Sequence, residues 1–591
     1  MCCFRVRTTQ TSSLTVTTRS GRIHSMETEI ALQPAADGMF HPADEAEVAE
    51  LVRFARAHGR RLRVRGAGHS PGESFAGDNA GDLVLLLDRM HALTVLDQSE
   101  RLVEAQAGIH LGGDPSSPGE DGAARNSLLH QLANRFGWTV GSTGGITHQT
   151  VGGFLGSCSA GGSVQHSFLD HVVAVRVVDG CGEVREFRVG EADGLAPVLP
   201  SSGLLGVTVS VTLRCEPIFT ITGQEAIVDI AGAPVDLEGP GDPSRPALAD
   251  FFTRAEYARI EWWPQRGAER LLVWQAQRAA LQPGFRPTRY EEFTRYPVLG
   301  EALFSTIFVI FGNLMAPPRV AQLLRRNATE VSRDLDELVA AGRVGRRARR
   351  LWSLLPAGIR MLAFAAPVLR LLRPVLVRSL PWMVPSALKL ILPLDTHKPG
   401  MRHGEPQSFR DWGWEGLPMD NQASDVLLWT QFTELWVPLS RGSEMIRLLR
   451  SYFAGTRDAR ESFERTGLYA FELYAAKPAE GWLHPGHSDG IDEWAEGALR
   501  LDVYWFTDNL EDPRERFYPQ FWNLLDEHGL AFRCHWGKEL PGPTIDRPDT
   551  AARWEAVYPH WRDWLELRAE YDPDGVFLTD YWCERLGLVR P

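Results

Sequence analysis

The sequence predicts an α+β protein of more than one domain, on three observations. An amphipathic helical stripe (Val48, Leu51, Val52, Ala55) is followed by short strand-like runs at 62–65, 83–87, 93–96 and 102–107, which mixes both periodicities in one stretch. Two glycine-rich stretches, Arg63–Pro71 and Gly141–Gly162, interrupt that pattern with many exposed amides and little bulk. In the second half, residues 256–263, 270–278, 426–437, 466–475 and 499–506 alternate in the period-2 manner of strands with two unlike faces. At 591 residues the chain is too long for a single core.

Taken in order, residues 1–25 are rich in Ser, Thr and Arg, contain no acid and lack the apolar core of a secretion signal. They are expected to be a disordered or targeting-like tail without packed structure. Asp44 with Glu47 resembles a capping box that opens the first helix, which stops at Gly59. The turn after strand 62–65 carries Gly66, Gly68 and His69. An amide-rich turn suits a phosphate, and a histidine beside it can be a base, a metal ligand or a covalent anchor. A helix is predicted from Ser127 to Phe136 with Leu128, Leu129, Leu132 and Phe136 inward, ended by Gly137. The run GSTGGITHQTVGGFLGSCSAGG at 141–162 is long for a plain loop, and cradling an extended phosphate-bearing cofactor explains it better. It lacks the spacing of a Rossmann fingerprint. A hairpin around Asp179-Gly180 and a strand at 205–214 complete one α+β domain over 40–216.

The net charge of −13 argues against a nucleic-acid partner, which needs clustered positive charge. Seven scattered cysteines form neither a disulfide framework nor a zinc site, which points to a reducing, cytoplasmic compartment. His484, His487 and Asp489 sit in a Pro-Gly loop with loose spacing; a solvated loop is expected there, and no metal. The only lysines are Lys389, Lys398, Lys477 and Lys538, so a lysine here is a candidate for work that needs a compact ammonium.

Between Leu338 and Leu394 there is no acid, while Arg343, Arg346, Arg347, Arg349, Arg350, Arg360, Arg370, Arg373, Arg378 and Lys389 punctuate a strongly apolar run. Prolines at 356, 367, 374, 381, 385 and 393 are expected to chop it into short helices. No uncharged run reaches the roughly 20 residues of a membrane crossing. The segment reads either as a membrane-surface element, making the protein peripherally membrane-associated, or as cap helices packed inside the domain with arginines outward.

With these residues in view, the chain resembles the vanillyl-alcohol oxidase type of FAD-linked oxidoreductases, and within it the sugar-1,4-lactone and alditol oxidases. The resemblance rests on GAGHSPGES (66–74), STGGITHQTVGG (142–153), SGLLGVTVSVTLRCEP (202–217), YARIEWWPQ (257–265), FTELWVP (432–438), FELY (471–474), HWGK (535–538) and DPDGVFLTDYW (572–582), in that order. It implies a two-part FAD-binding domain of the PCMH type over 26–220 and an α+β cap built on an antiparallel sheet over 221–529. Residues 280–410 then form an insertion, and 530–591 return to the flavin. It further implies FAD joined covalently to His69, with Arg65, Gly66, Ala67, Gly68 and Ser70 around the pyrophosphate. Ser142, Thr143, Gly145, Thr150, Gly153, Ser157 and Ser159 would line the rest, Val207 the adenine end, and His535 cofactor or substrate. Cys158 does not fall where a second flavin bond would. Glu472, Tyr474 and Lys538 are the implied catalytic residues. Glu472 and Tyr474 share one face of a strand, but Tyr474 stands where the family has arginine and carries no charge at pH 7. Together with the apolar insertion, that points to a bulky or lipid-like alcohol, oxidised by hydride transfer to flavin N5 with oxygen or a carrier as acceptor. The alternatives are an aldonolactone (gulono-, arabinono- or galactonolactone) oxidase and a peripheral membrane flavoprotein whose flavin is not catalytic.

Overall fold

The computed structural model describes residues 34–591 apart from 114–125, 192–193, 266, 291–316, 341–353, 396–404, 420–429, 455–467, 491, 507–511, 544–547 and scattered positions between 373 and 391. The expectation for residues 1–25 lies outside this range. Helix α1 (Glu45–Ala57) begins where Asp44 Oδ1 accepts the Glu47 N–H at 2.9 Å. Glu47 reaches back to the Ala43 N–H, so the reciprocal half of the capping box closes one residue earlier than the usual pattern. Its buried stripe packs on β1 (Leu62–Arg65) and β2 (Leu83–Leu86), which pair in parallel. β3 (Leu93–Asp97) and β4 (Leu102–Gln106) follow. The segment from Ser127 is one α-turn (Leu128–Gln131) continued by a wider π-turn (Leu132–Phe136), and Gly137 ends it at φ 68°. Then come β5 (Trp138–Thr139), α2 (Val151–Ser157), β6 (Val172–Val178), β7 (Val184–Arg188), β8 (Val207–Arg214) and β9 (Glu216–Pro217). Five strands form an antiparallel sheet in the order β3-β4-β8-β6-β7.

The second half contributes β10 (Thr220–Asp229), α3 (Leu248–Arg254), β11 (Tyr257–Trp263), β12 (Arg270–Ala279), α4 (Pro317–Ala340), α5 (Leu355–Leu371), β13 (Gln407–Trp412) and β14 (Thr430–Pro438). It continues with α6 (Gly442–Ala454), β15 (Leu468–Ala476), β16 (Ala498–Phe506), α7 (Tyr518–Glu527), β17 (Arg533–Cys534), α8 (Thr550–Val557), α9 (Trp561–Tyr571) and α10 (Asp580–Leu586). Eight strands make one antiparallel sheet ordered β13-β10-β12-β11-β15-β16-β14-β17. Alternation decides what each face meets. Ile260, Trp262, Val273, Leu435, Phe471, Leu473 and Leu501 point one way, into a core shared with Phe251 of α3, Ile446 of α6 and Phe521 of α7. Each such burial removes apolar area worth about 1.5–3 kcal/mol. On the opposite face, Ile227, Leu272 and Trp274 of β10 and β12 are covered by Val320, Leu324 and Ala328 of α4 and by Ile359 and Ala363 of α5.

The proline expectation is corrected at two positions: the 17-residue α5 runs through both Pro356 and Pro367. Pro356 falls in the first turn, where no amide bond is lost, while at Pro367 the packing of Ile359, Ala363 and Ala366 against α4 and the sheet holds the helix together.

Residues after α9 return to the first domain. The Leu62 N–H donates to Val576 O at 2.9 Å. Arg63, 5% exposed, donates to the carbonyls of Ser74, Ser202, Gly203 and Phe577. The Asp572 carboxylate accepts the N–H groups of Val576 and Phe577 at 2.6 and 3.0 Å, and Trp582 Nε1 donates to Ser74 O.

Candidate active site

The first glycine turn opens a cleft that runs from Arg65–Ser70 past the glycines of α2 to Val207 and Phe577. Of the expected cofactor residues, Arg65, Gly66, Ala67, Gly68, His69, Ser70, Thr150, Gly153, Ser157 and Val207 line it. Ser142, Thr143, Gly145, Ser159 and His535 do not line this cleft. Ser159 Oγ lies 3.4 Å from His535 Nε2, whose Nδ1 accepts the Gly537 N–H at 3.0 Å, and Gly537 is in the lining. Gly68 holds φ +84°, a conformation side chains resist, and a Cβ on Gly66 would stand 2.8 Å from Thr150 Oγ1. A Cβ on Gly156 would meet nothing within 4 Å, so this glycine of α2 looks onto open space.

His69 supplies a test of fit for a flavin anchor. Its Nε2 is buried without a hydrogen-bond partner. Burial pushes its pKa down to about 3, and the nearby His148, Lys538 and His110 act the same way. The ring is therefore neutral at pH 7, with a nitrogen unsatisfied inside a cleft lined by both glycine-rich stretches. The residues present fit FAD. Cys158 is buried, its thiol pushed well up by burial, at φ 65° after α2.

A second group of side chains lies on the sheet face turned toward this loop region. Strand register sets Glu434 opposite Asp502, Asp502 opposite Glu472, and Glu472 opposite Glu261, which forms a row of four carboxyl groups across β14, β16, β15 and β11. All four are at most 6% exposed. The adjoining row is Trp436, Arg500, Tyr474 and Arg259. Glu472 accepts from Tyr474 OH at 2.8 Å and from Tyr504 OH at 2.5 Å, and Arg259 Nη1 stands 3.5 Å from it. Arg500 Nε donates to Glu434 Oε1 at 2.8 Å, Trp436 Nε1 donates to the same oxygen at 2.7 Å, and Arg500 Nη1 donates to Ala160 O in the second glycine-rich stretch. The guanidinium also lies 4.9 Å from the centroid of the Tyr474 ring. The positive charge absent at Tyr474 is thus present on both neighbouring strands. That was missed from sequence because register is not written in any single segment.

Charge balance sorts the row. Burial pushes Glu434 up, but Arg500, His535 and Lys538 prevail and hold it below the usual carboxylate range. Asp502 is pushed well above its ordinary value, first by burial and then by the Glu434 and Glu472 charges. Asp502 Oδ1 is buried without a hydrogen-bond partner. Four carboxyls beside two guanidiniums leave an excess of negative charge, and a protonated Asp502 relieves it. Lys538 Nζ lies 3.9 Å from the Phe432 ring centroid, within electrostatic reach of His69, Glu434 and Asp502, so positions 69 and 538 belong to one region. Burial lowers His535 to about 4, and it is neutral at pH 7.

The His484–His487 loop departs from expectation. Both histidines are buried, at 3% and 4% exposure, rather than solvated, because Arg533 donates to the carbonyls of Pro485 and His487 and pulls the loop in. Among the described residues no cluster is arranged to hold a metal ion.

Comparison with known proteins agrees with this geometry. The FAD binding domain family matches residues 36–113, and the D-arabinono-1,4-lactone oxidase family matches 429–586. The fold is shared with cholesterol oxidase from Brevibacterium sterolicum at TM-score 0.57 and 15% identity, covering 92% of this chain and 93% of that one. The chain thus shares its fold with PCMH-type FAD-linked oxidoreductases and matches their FAD binding domain. Within that class, the chain is similar to sugar-lactone oxidases. D-arabinono-1,4-lactone oxidase of Yarrowia lipolytica is 22% identical over 98% of this chain and 100% of its own length. The Eremothecium gossypii enzyme of the same name is 27% identical over 38% of each chain. L-gulonolactone oxidase of Mus musculus is 26% identical over 38% of this chain and 45% of its own length, so these last two matches span under half of the relatives.

Proposed function

We propose that this FAD-linked oxidoreductase oxidises a CH–OH group of an aldonolactone, with oxygen as electron acceptor. The observation that carries the reading is the row of buried carboxyls flanked by Arg259 and Arg500. Such a face suits a substrate dense in hydroxyl groups, because each hydroxyl can both donate and accept. A bulky lipophilic alcohol finds less support, since it would set apolar surface against a face of charged groups. The similarity to lactone oxidases points the same way.

FAD, when bound, supplies the hydride acceptor. Arg65–Ser70, Thr150, Gly153 and Ser157 would hold it through backbone amides and hydroxyls, and His69, with its neutral Nε2 unpartnered, would be the point of covalent attachment. Glu472, fixed by two tyrosine hydroxyls and Arg259, keeps lone pairs that can accept the substrate hydroxyl and take its proton. Tyr474 orients Glu472 and adds a substrate contact. The Lys538 ammonium stabilises the negative charge that develops on the substrate oxygen.

Anaerobic addition of L-gulonolactone or D-arabinono-1,4-lactone is expected to bleach the flavin absorbance, and air to restore it rapidly. Bleaching by a sterol or long-chain alcohol and by neither lactone would sink the substrate assignment. Slow recovery in air would replace oxygen by another carrier.

A further inference from the structure

We propose that the outward face of α5 docks on the surface of an anionic lipid bilayer. Both sides of this helix are apolar. Ile359, Ala363 and Ala366 face α4 and the sheet, while Met361, Phe364, Val368 and Leu371 point outward at 72%, 76%, 55% and 80% exposure. Their spacing of three or four residues puts them in one stripe along a single helix side. The stripe extends through Leu354 before the helix and Val375 after it, and Leu390 adds another exposed apolar side chain nearby in sequence. Of the fourteen large apolar side chains that are exposed among the described residues, nine fall between Leu354 and Leu390. That is a patch rather than the scatter normal for a soluble surface.

Charge selects the occupant. Arg360, Arg378 and Lys389 are exposed on the same segment, the Arg325 guanidinium lies 5.6 Å from the Phe364 ring centroid, and the sequence holds no acid from Leu338 to Leu394 in a chain of net charge −13. An apolar stripe on a segment whose only charges are cations matches an interface of acyl chains under negative headgroups. A second copy of the same face would bring these cations against one another, which disfavours a symmetric dimer. Among the described residues no helix is long and apolar enough to cross a membrane, so the contact is one of lying on the surface. Since α4 and α5 cover the sheet face that also bears the carboxyl row, docking would hold the catalytic half of the molecule beside the lipid.

The test is flotation of the full-length flavoprotein with vesicles of phosphatidylcholine alone and of phosphatidylcholine with phosphatidylserine. The wild type is expected to float with the mixed vesicles at low salt and to be released by raised salt. Phe364→Glu/Leu371→Glu should cut the bound fraction at least tenfold, and Arg360→Glu/Lys389→Glu severalfold, with melting temperature and bound flavin unchanged in both. Failure of the wild type to float, equal capture by neutral vesicles, or full retention by Phe364→Glu/Leu371→Glu would each overturn the proposal. So would a dimer in light scattering that the same substitutions convert to monomer.

Discussion

Arg500 is the side chain whose removal the structure makes most costly. It is 5% exposed, and it places two donors on Glu434 and Ala160. Arg500→Met keeps most of the stem but leaves Glu434, 1% exposed, with only Trp436 as a hydrogen-bond donor beside it. Breaking a buried pair by deleting one member costs about 3–5 kcal/mol, mostly because the remaining charge has lost its compensation. Arg500→Met/Glu434→Gln removes both charges and should recover about half or more of that loss. The pH dependence carries the sign. In the wild type Arg500 holds Glu434 below the ordinary carboxylate value, so the pair's stabilisation is present above about pH 4.5 and fades as pH falls toward the lowered value. In Arg500→Met burial acts on Glu434 with that opposition gone, so acid lets the carboxyl protonate and the penalty shrinks. Urea unfolding followed by tryptophan fluorescence at pH 7 and pH 4 measures both effects. A penalty under about 1 kcal/mol, one that does not shrink at pH 4, or a double variant as unstable as the sum of the singles would refute the reasoning.

Other outcomes follow from the same geometry. Asp502→Asn should lessen the loss of stability between pH 4 and pH 7: the folded aspartic acid holds its proton to higher pH than the unfolded one, which releases it above about pH 3.9, so the wild type loses stability as pH rises from there and the amide does not. Thermal melts at the two pH values check this. His69→Ala should abolish flavin fluorescence on a denaturing gel while the native protein still retains the cofactor through the glycine cleft. Gly537→Ala would bring a Cβ within 2.8 Å of Ser157 and 3.1 Å of Ser70 Oγ and should weaken flavin loading severalfold, read from the absorbance ratio of flavin to protein.

Much of the fold could be read from periodicity. The strands at 62–65 and 172–178 and the segments at 256–263, 270–278 and 499–506 appear within a residue or two, because their alternate side chains meet different surroundings, while 426–429 lie outside the described residues. The glycine turn at 66–70 was legible for a related reason, since few side chains tolerate its backbone. What stayed hidden depends on neighbours remote in sequence. Glu434, Asp502 and Glu261 join Glu472 only through cross-strand register, and Arg259 and Arg500 replace an arginine whose absence at position 474 suggested an apolar substrate. The buried His484 loop depends on Arg533, and the continuity of α5 through Pro367 depends on packing against α4, which outweighs local propensity.

The clasp between Arg63 and the Asp572–Phe577 turn has an implication for biosynthesis. The two halves of the cofactor bed are 514 positions apart, and the guanidinium finds its Phe577 acceptor only after translation has passed position 577. Until then an arginine that ends up among carbonyls must wait in solvent, and the amino-terminal unit cannot seal. Flavin capture therefore waits for the 572–577 turn, and ribosome-bound intermediates stalled before position 572 should emerge colourless.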